Sequence, residues 1–138
     1  MKRSQLARKT PLSARKPMQK RRRKQSAAQK ESRFRSPAYL AWVKSQPCVY
    51  CAQPADDPHH VIGLWQLSGM GLTAPDNFAV GLCRPHHDLV HREPSIQPAQ
   101  ADWLLWTLNK ALTEQWPDET RAALLEAREF VIEKQEAE

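Results

Sequence analysis

Hydrophobic positions are distributed unevenly along the chain. Apart from Met1, only Leu6, Leu12 and Met18 are large and apolar before Phe34, too few to offset the entropy of ordering that stretch. Ser36 then reads as the cap of a short helix with Pro37 in its first position. Tyr39, Leu40, Trp42 and Val43 supply its apolar contacts, and Gln46-Pro47 stops it. Val61, Ile62, Leu64 and Trp65 predict one short strand, and Phe78, Ala79, Val80 and Leu82 predict another that ends at Cys83. Between them, Ser68-Gly69-Met70-Gly71 reads as a connecting loop. Pro85 to about Arg92 suits a helix on which His87 and His91, four apart, share a face. Trp103, Leu104, Leu108, Ala111 and Leu112 keep helical spacing, as do Leu124, Leu125, Val131 and Ile132 beyond a break at Trp116-Pro117. Such stripes are core or partner-facing, so no functional residue is assigned there. The pattern predicts an α+β fold in three parts: an N-terminal arm over 1–35, a core over 36–94 and a helical segment over 95–138.

Charge sharpens the first boundary. Residues 1–35 carry fourteen Lys or Arg against the single acid Glu31, a net +13, whereas the remainder carries a net −7. The net +6 of the 138 residues therefore describes neither part. The arm is expected to be disordered when free and to bind nucleic-acid backbones through counterion release, with Arg21, Arg22, Arg23 and Lys24 as its densest cluster. The acidic remainder would repel nucleic acid on its own. A transit peptide fits poorly, because three scattered apolar residues give no amphipathic face. No stretch approaches the length of a transmembrane helix, and the protein is expected to be soluble and intracellular.

The chemistry-bearing residues are confined to one third of the chain. All three cysteines and five histidines fall between Cys48 and His91, as Cys48-x-x-Cys51, His59-His60, Cys83-x-x-His86-His87 and His91. Two pairs, each spaced by two residues, match a closed tetrahedral zinc site made by Cys48, Cys51, Cys83 and His86, with His87 the adjacent alternative to His86. Three cysteines cannot pair completely, which disfavours a disulfide scaffold. Ala52-Gln53-Pro54 after Cys51 offers no helix to depress a redox thiol. His59, His60, His87 and His91 are left over beside the site.

The ordered set of these residues resembles the ββα-metal core of HNH nucleases, over roughly residues 38–92. More narrowly, Tyr39-Leu40-Ala41-Trp42-Val43, Pro47-Cys48-Val49-Tyr50-Cys51, Asp57-Pro58-His59-His60-Val61-Ile62-Gly63, Gly69-Met70-Gly71, Ala74-Pro75-Asp76-Asn77 and Leu82-Cys83-Arg84-Pro85-His86-His87 look like phage and prophage HNH proteins. The recombination enhancement nucleases that act with RecA are similar in this respect, and in having a basic N-terminal arm. The resemblance implies a zinc-stapled HNH core, a DNA endonuclease activity in phage or prophage recombination, and a bacterial cytoplasmic setting. It implies His60 as general base and Asn77 as the central Asn that orients the base or ligates metal. His59 and His87 become ligands of a catalytic Mg²⁺ or Mn²⁺, His91 a further ligand or a contact to the scissile phosphate, and DNA, including RecA-coated single strands, becomes the partner. The family often has a fourth knuckle cysteine where this chain has His86.

Phosphodiester hydrolysis asks for what these residues supply. A neutral imidazole titrating near about pH 6.5 can take a proton from water, and a divalent ion with open positions acts on the phosphate and leaving oxygens. A site rich in imidazole also accommodates Mn²⁺, Ni²⁺ or Zn²⁺. One such core cuts one strand, so nicking is expected. The alternatives are a non-catalytic zinc module that binds nucleic acid through the arm and a structural or regulatory protein whose C-terminal helices dock a partner.

Overall fold

Ser36 opens the first helix, α1 (Pro37–Ser45), its Oγ accepting the Tyr39 N–H at 3.2 Å, while Pro37 fills a first-turn position that needs no N–H. The computed structural model describes residues 33–69 and 72–138. The cluster Arg21, Arg22, Arg23 and Lys24 lies outside the described residues, as do Met70 and Gly71 of the expected glycine loop. α1 buries Tyr39 and Val43. It packs on the sheet at Gly81, where a Cβ would come within 2.9 Å of the Val43 carbonyl oxygen, so no larger residue fits without moving backbone.

Two antiparallel strands follow, β1 (Asp57–His60) and β2 (Ala79–Leu82), with Asp57 opposite Leu82 and His60 opposite Ala79. The expected first strand over Val61, Ile62, Leu64 and Trp65 is displaced: the histidines themselves form the strand. Val61 still donates its N–H to the Phe78 carbonyl at 3.0 Å, but Gly63, Trp65 and Gln66 then take positive φ of 68°, 46° and 60° and turn the chain away. Phe78 likewise sits in a buried 3₁₀ turn, Asp76–Phe78, rather than in β2. Because side chains alternate along a strand, His59 and His60 are sent to opposite faces of β1. That separation organises the site.

Helix α2 (Arg84–Arg92) starts one residue before the sequence expectation, where Asp56 Oδ2 accepts the Arg84 N–H at 2.8 Å and caps it from the β1 side. A 3₁₀ segment, Pro94–Ala99, leads into α3 (Gln100–Ala111), and α4 (Asp118–Glu136) returns antiparallel to it. Gln135, near the end of α4, donates to Asp102 Oδ1 near the start of α3 at 2.9 Å. Leu104, Leu108 and Ala111 of α3 and Leu124, Ala127 and Val131 of α4 are fully buried in one cluster with Tyr39, Val43, Val80 and Leu82. Each such leucine contributes about 1.5–3 kcal/mol relative to an exposed one. Leu125 and Ile132, from the same sequence stripe, face outward. The helical segment thus completes the core of the sheet region.

Mixed α+β architecture holds as expected, while the arm boundary shifts. Arg33 donates from Nη1 to the Leu67 carbonyl at 3.3 Å and also to the Thr73 carbonyl, and Phe34 accepts the Asp76 N–H at 3.1 Å. Residues 33–35, basic by composition, are therefore docked on the folded part. Among the described residues, no helix is long and apolar enough to cross a membrane.

Candidate functional site

Cys48 and Cys51 sit on a tight turn closed by the Ala52 N–H donating to the Cys48 carbonyl at 2.8 Å, with Ala52 at φ 63°. Val49 donates to the Gly81 carbonyl at 3.0 Å, which holds this turn against β2. Cys83 follows β2 as the residue before α2, and His86 stands in the first turn of α2. Their four ligand atoms lie within 4.8 Å of one another. Cys51 and Cys83 Sγ are 3.7 Å apart, close to the sulfur–sulfur edge of about 3.8 Å that a tetrahedron of Zn–S bonds near 2.3 Å requires. His86 Nδ1 is 3.1 Å from Cys83 Sγ and 3.8 Å from Cys48 Sγ. The Cys₃His cluster can therefore bind a metal such as zinc, and His86 rather than His87 is its imidazole.

The surroundings of the sulfurs shift their thiols in opposite directions. Burial works to raise the Cys48 thiol, but backbone groups of Cys83, Cys51 and Tyr50, and then His86, bring it down to about 6. Burial pushes the Cys83 thiol up to about 11, opposed by the backbone of His86 and reinforced by the neighbouring sulfurs of Cys51 and Cys48. Packing this tight makes successive thiolates costly without a cation, and a divalent ion relieves that repulsion.

On the other flank of α2, His59, His87 and His91 form a second group whose ligand nitrogens lie within 4.8 Å. The orientation of each ring follows from its outer partner. Gln100 donates from Nε2 to the carbonyls of Ile62 and Gln97, at 2.7 and 2.8 Å, so its Oε1 is free to accept. His59 donates its Nε2–H to that oxygen at 2.9 Å, which leaves the lone pair on Nδ1. Asp57 Oδ2 accepts from His87 Nδ1 at 3.3 Å, which leaves the lone pair on Nε2. His91 Nε2 is 3.2 Å from His87 Nε2, near the nitrogen–nitrogen edge of about 3.3 Å expected around one tetrahedral ion. Outer acceptors that fix a tautomer and aim a lone pair are the usual surroundings of a metal-binding histidine. Burial drives the His59 pKa down to about 4, opposed by the Gln100 hydrogen bond and assisted by His87, His91 and His60. His59 is thus neutral at neutral pH, the form in which an imidazole can ligate a metal.

His60 faces away from that group and donates its Nε2–H to Asp76 Oδ1 at 2.9 Å. The other Asp76 oxygen accepts the Ser36 N–H at 2.8 Å, and the Arg35 guanidinium lies 3.7 Å from Oδ1. Here the expectation for Asn77 fails. Asn77 is buried and donates from Nδ2 to the Ala123 carbonyl of α4 at 2.9 Å, on the side lined by Phe78 and Phe130, so it neither holds His60 nor reaches the imidazole group. Its neighbour Asp76 is the residue that meets His60 instead, because successive residues of a 3₁₀ turn point about 120° apart.

A cleft of about 280 Å³ opens between these groups, lined by Pro58, His59, His60, Ser68, Thr73, His87 and His91 among others. Three of the residues that shape it carry little or no signal in the sequence. Asp76 is marked only by its place beside Asn77, and Asp57 only by its place before the histidine pair. Gln100, forty-one residues from His59, has no local signal at all.

Fold and site together define a small α+β protein with a Cys₃His cluster and a separate imidazole cluster on opposite flanks of one helix. The chain belongs to the family described as Protein of unknown function (DUF968), whose model matches residues 24–112 and so takes in both clusters. It is also 50% identical over 64 residues to the uncharacterized protein YdfU of Escherichia coli (strain K12). That match covers 46% of this chain and 18% of YdfU, so the shared segment spans under a fifth of the relative's length. No solved structure matches the chain.

Proposed function

We propose that the protein is a metal-dependent endonuclease of the HNH type that hydrolyses DNA phosphodiester bonds and nicks one strand at a time. One observation carries this reading: His59, His87 and His91 present clustered ligand nitrogens in the same cleft that His60, held separately by Asp76, also lines. Purely structural histidines have no need of that division of labour. His59, His87 and His91 fit a divalent ion, because at least two of their tautomers are set by Gln100 and Asp57 with lone pairs left for ligation. An ion bound there, Mn²⁺ or Mg²⁺, supplies Lewis acidity toward a phosphate oxygen and the leaving oxygen. His60 keeps its lone pair on Nδ1 while Nε2–H is held by Asp76, so it takes the proton from the attacking water. The water oxygen bonds to phosphorus as the bond to the leaving sugar oxygen breaks, and that oxygen is protonated from solvent. Cys48, Cys51, Cys83 and His86 hold a structural zinc that fixes β2 and α2, the elements on either side of Cys83. The basic arm contributes sequence-independent affinity for the DNA backbone, and RecA-coated single strands are one substrate form within this reading.

The test uses supercoiled plasmid and single-stranded DNA, with and without RecA, in Mg²⁺ or Mn²⁺. Wild-type protein should nick, and His60→Ala should not, with both retaining one tightly held zinc and equal DNA affinity. No cleavage by either protein under any of these conditions, with DNA binding intact, would replace this reading with a non-catalytic zinc module.

A further inference from the structure

We infer that Asp76 is a positioning residue that dictates which nitrogen of His60 carries the proton, and that it ties this choice to the root of the basic arm. Asp76 is 3% exposed and presents two acceptor oxygens to two donors. Ser36, the first residue after the arm, gives its backbone N–H to Oδ2 at 2.8 Å, and His60 gives Nε2–H to Oδ1 at 2.9 Å. The Asp76 N–H in turn donates to the Phe34 carbonyl at 3.1 Å, so the turn and residues 34–36 hold each other in place. Arg35, half exposed, adds a positive charge 3.7 Å from Oδ1.

The two donors are not equivalent. A backbone N–H can only donate, whereas a neutral imidazole nitrogen can donate or accept, depending on tautomer. A carboxylate satisfies both donors at once. An amide at the same place has one acceptor and one donor group, and the Ser36 N–H claims the acceptor because it has no alternative. The amide NH₂ then faces His60 Nε2, which must accept, and the proton moves to Nδ1. Arg35 is free to turn to solvent. In Asp76→Asn the fold is kept while His60 loses the Nδ1 lone pair that the proposed hydrolysis uses.

This inference deepens the nuclease reading and rests on it only for the rate, since the tautomer is observable without any reaction. The experiment is ¹⁵N NMR of histidine side chains at a single neutral pH in wild-type and Asp76→Asn protein, with His60 assigned through His60→Gln, alongside plasmid-nicking kinetics. Wild type should show His60 as the Nε2–H tautomer, and Asp76→Asn should show Nδ1–H with zinc content unchanged. The variant's kcat should fall by about 10²–10⁴-fold, the upper end being the loss known when the equivalent Asp of a serine protease becomes Asn, with little change in KM for DNA. A variant that keeps the Nε2–H tautomer overturns the inference. So does a wild-type protein in the Nδ1–H form, which decides the matter even should Asp76→Asn not fold. The tautomer switch without cleavage by wild type would support the positioning role and remove the nuclease reading alone.

Discussion

His59 and Gln100 meet at 2.9 Å across forty-one residues of sequence, and Gln100 has no polar atom left over. Its Oε1 also accepts the Ile62 N–H at 3.1 Å, and its Nε2 serves the Ile62 and Gln97 carbonyls. A fully buried glutamine so completely engaged fixes three things at once: the start of α3, the chain leaving β1, and the His59 ring. Gln100→Leu, close in volume, should leave buried partners of Ile62 and His59 unsatisfied and lower stability by about 1–3 kcal/mol. Titration calorimetry with Mn²⁺ should show binding at the imidazole site weakened about 10–100-fold, the usual cost of losing an outer partner, while zinc in the cysteine cluster stays put. Equal Mn²⁺ affinity would mean that Gln100 does not orient His59.

Asn77 gives a contrasting expectation. Its Nδ2–H joins the 3₁₀ turn to the α4 backbone at Ala123, and its Oδ1 is buried without a protein partner among the described residues. Asn77→Ala should therefore cost about 1 kcal/mol of stability, the net value of one hydrogen bond, with kcat changed only a few-fold. Asn77→Asp should be worse for folding, because a carboxylate would face the Ala123 carbonyl with no proton to donate. Thermal melting beside nicking kinetics separates the roles: loss of cleavage with unaltered melting would return Asn77 to the chemistry.

Why the sequence reveals the clusters but not their orientation follows from these residues. Ligand identity and spacing in Cys48-x-x-Cys51 and Cys83-x-x-His86 are local, and a two-residue spacing on a turn or a helix start leaves few geometries. His87 and His91 are legible for the same reason, since helical spacing puts them on one face. The β1 boundary is not legible, because Val61 to Trp65 is the more apolar run, whereas pairing to β2 and the positive φ values after Val61 decide where the strand ends. Asp76 and Asn77 are equally placed in sequence to partner His60, and only the direction of a single turn chooses between them. Gln100 depends wholly on tertiary placement.

The docking of residues 33–35 makes the arm separable at one point and not at another. Deleting residues 1–32 removes twelve Lys or Arg and leaves the hydrogen bonds and ion pair of Arg33, Phe34 and Arg35 in place. DNA affinity at low salt should fall, and the dependence of log K on log salt should flatten, by about 0.9 in slope for every duplex phosphate that the arm no longer neutralises. Melting should be unchanged. Deleting residues 1–35 additionally frees the Thr73 carbonyl beside the cleft, the Leu67 carbonyl and the Asp76 N–H, so melting should drop and nicking should fall beyond what weaker binding explains. Binding titrations between about 50 and 200 mM salt, with both truncations, test this directly. Equal salt slopes for full-length and shortened proteins would exclude the arm as the source of affinity.

The cysteine cluster should control folding itself. Its ligands come from the turn after α1, the residue that follows β2 and the first turn of α2, so one ion would tie three successive elements together. Structural zinc in comparable small sites binds with an apparent 10–16 kcal/mol (order of magnitude) at neutral pH, at least as large as the roughly 5–15 kcal/mol net stability of a typical domain. Cys83→Ser should therefore lose the metal and the cooperative melt of the sheet and α2. A strong chelator should do the same to the wild type, reversibly on adding Zn²⁺ under reducing conditions. The α3 and α4 pair, which lies antiparallel and is joined by the Gln135–Asp102 hydrogen bond, should keep part of its helical circular dichroism. Metal analysis should return one zinc that survives gel filtration. The imidazole site, with its open positions, should exchange within that step, so the two sites are distinguished by retention alone. A protein that melts cooperatively at the same temperature with and without chelator would show that the cluster holds no structural metal, and that burial of Tyr39, Val80 and Leu82 suffices to hold β2 and α2.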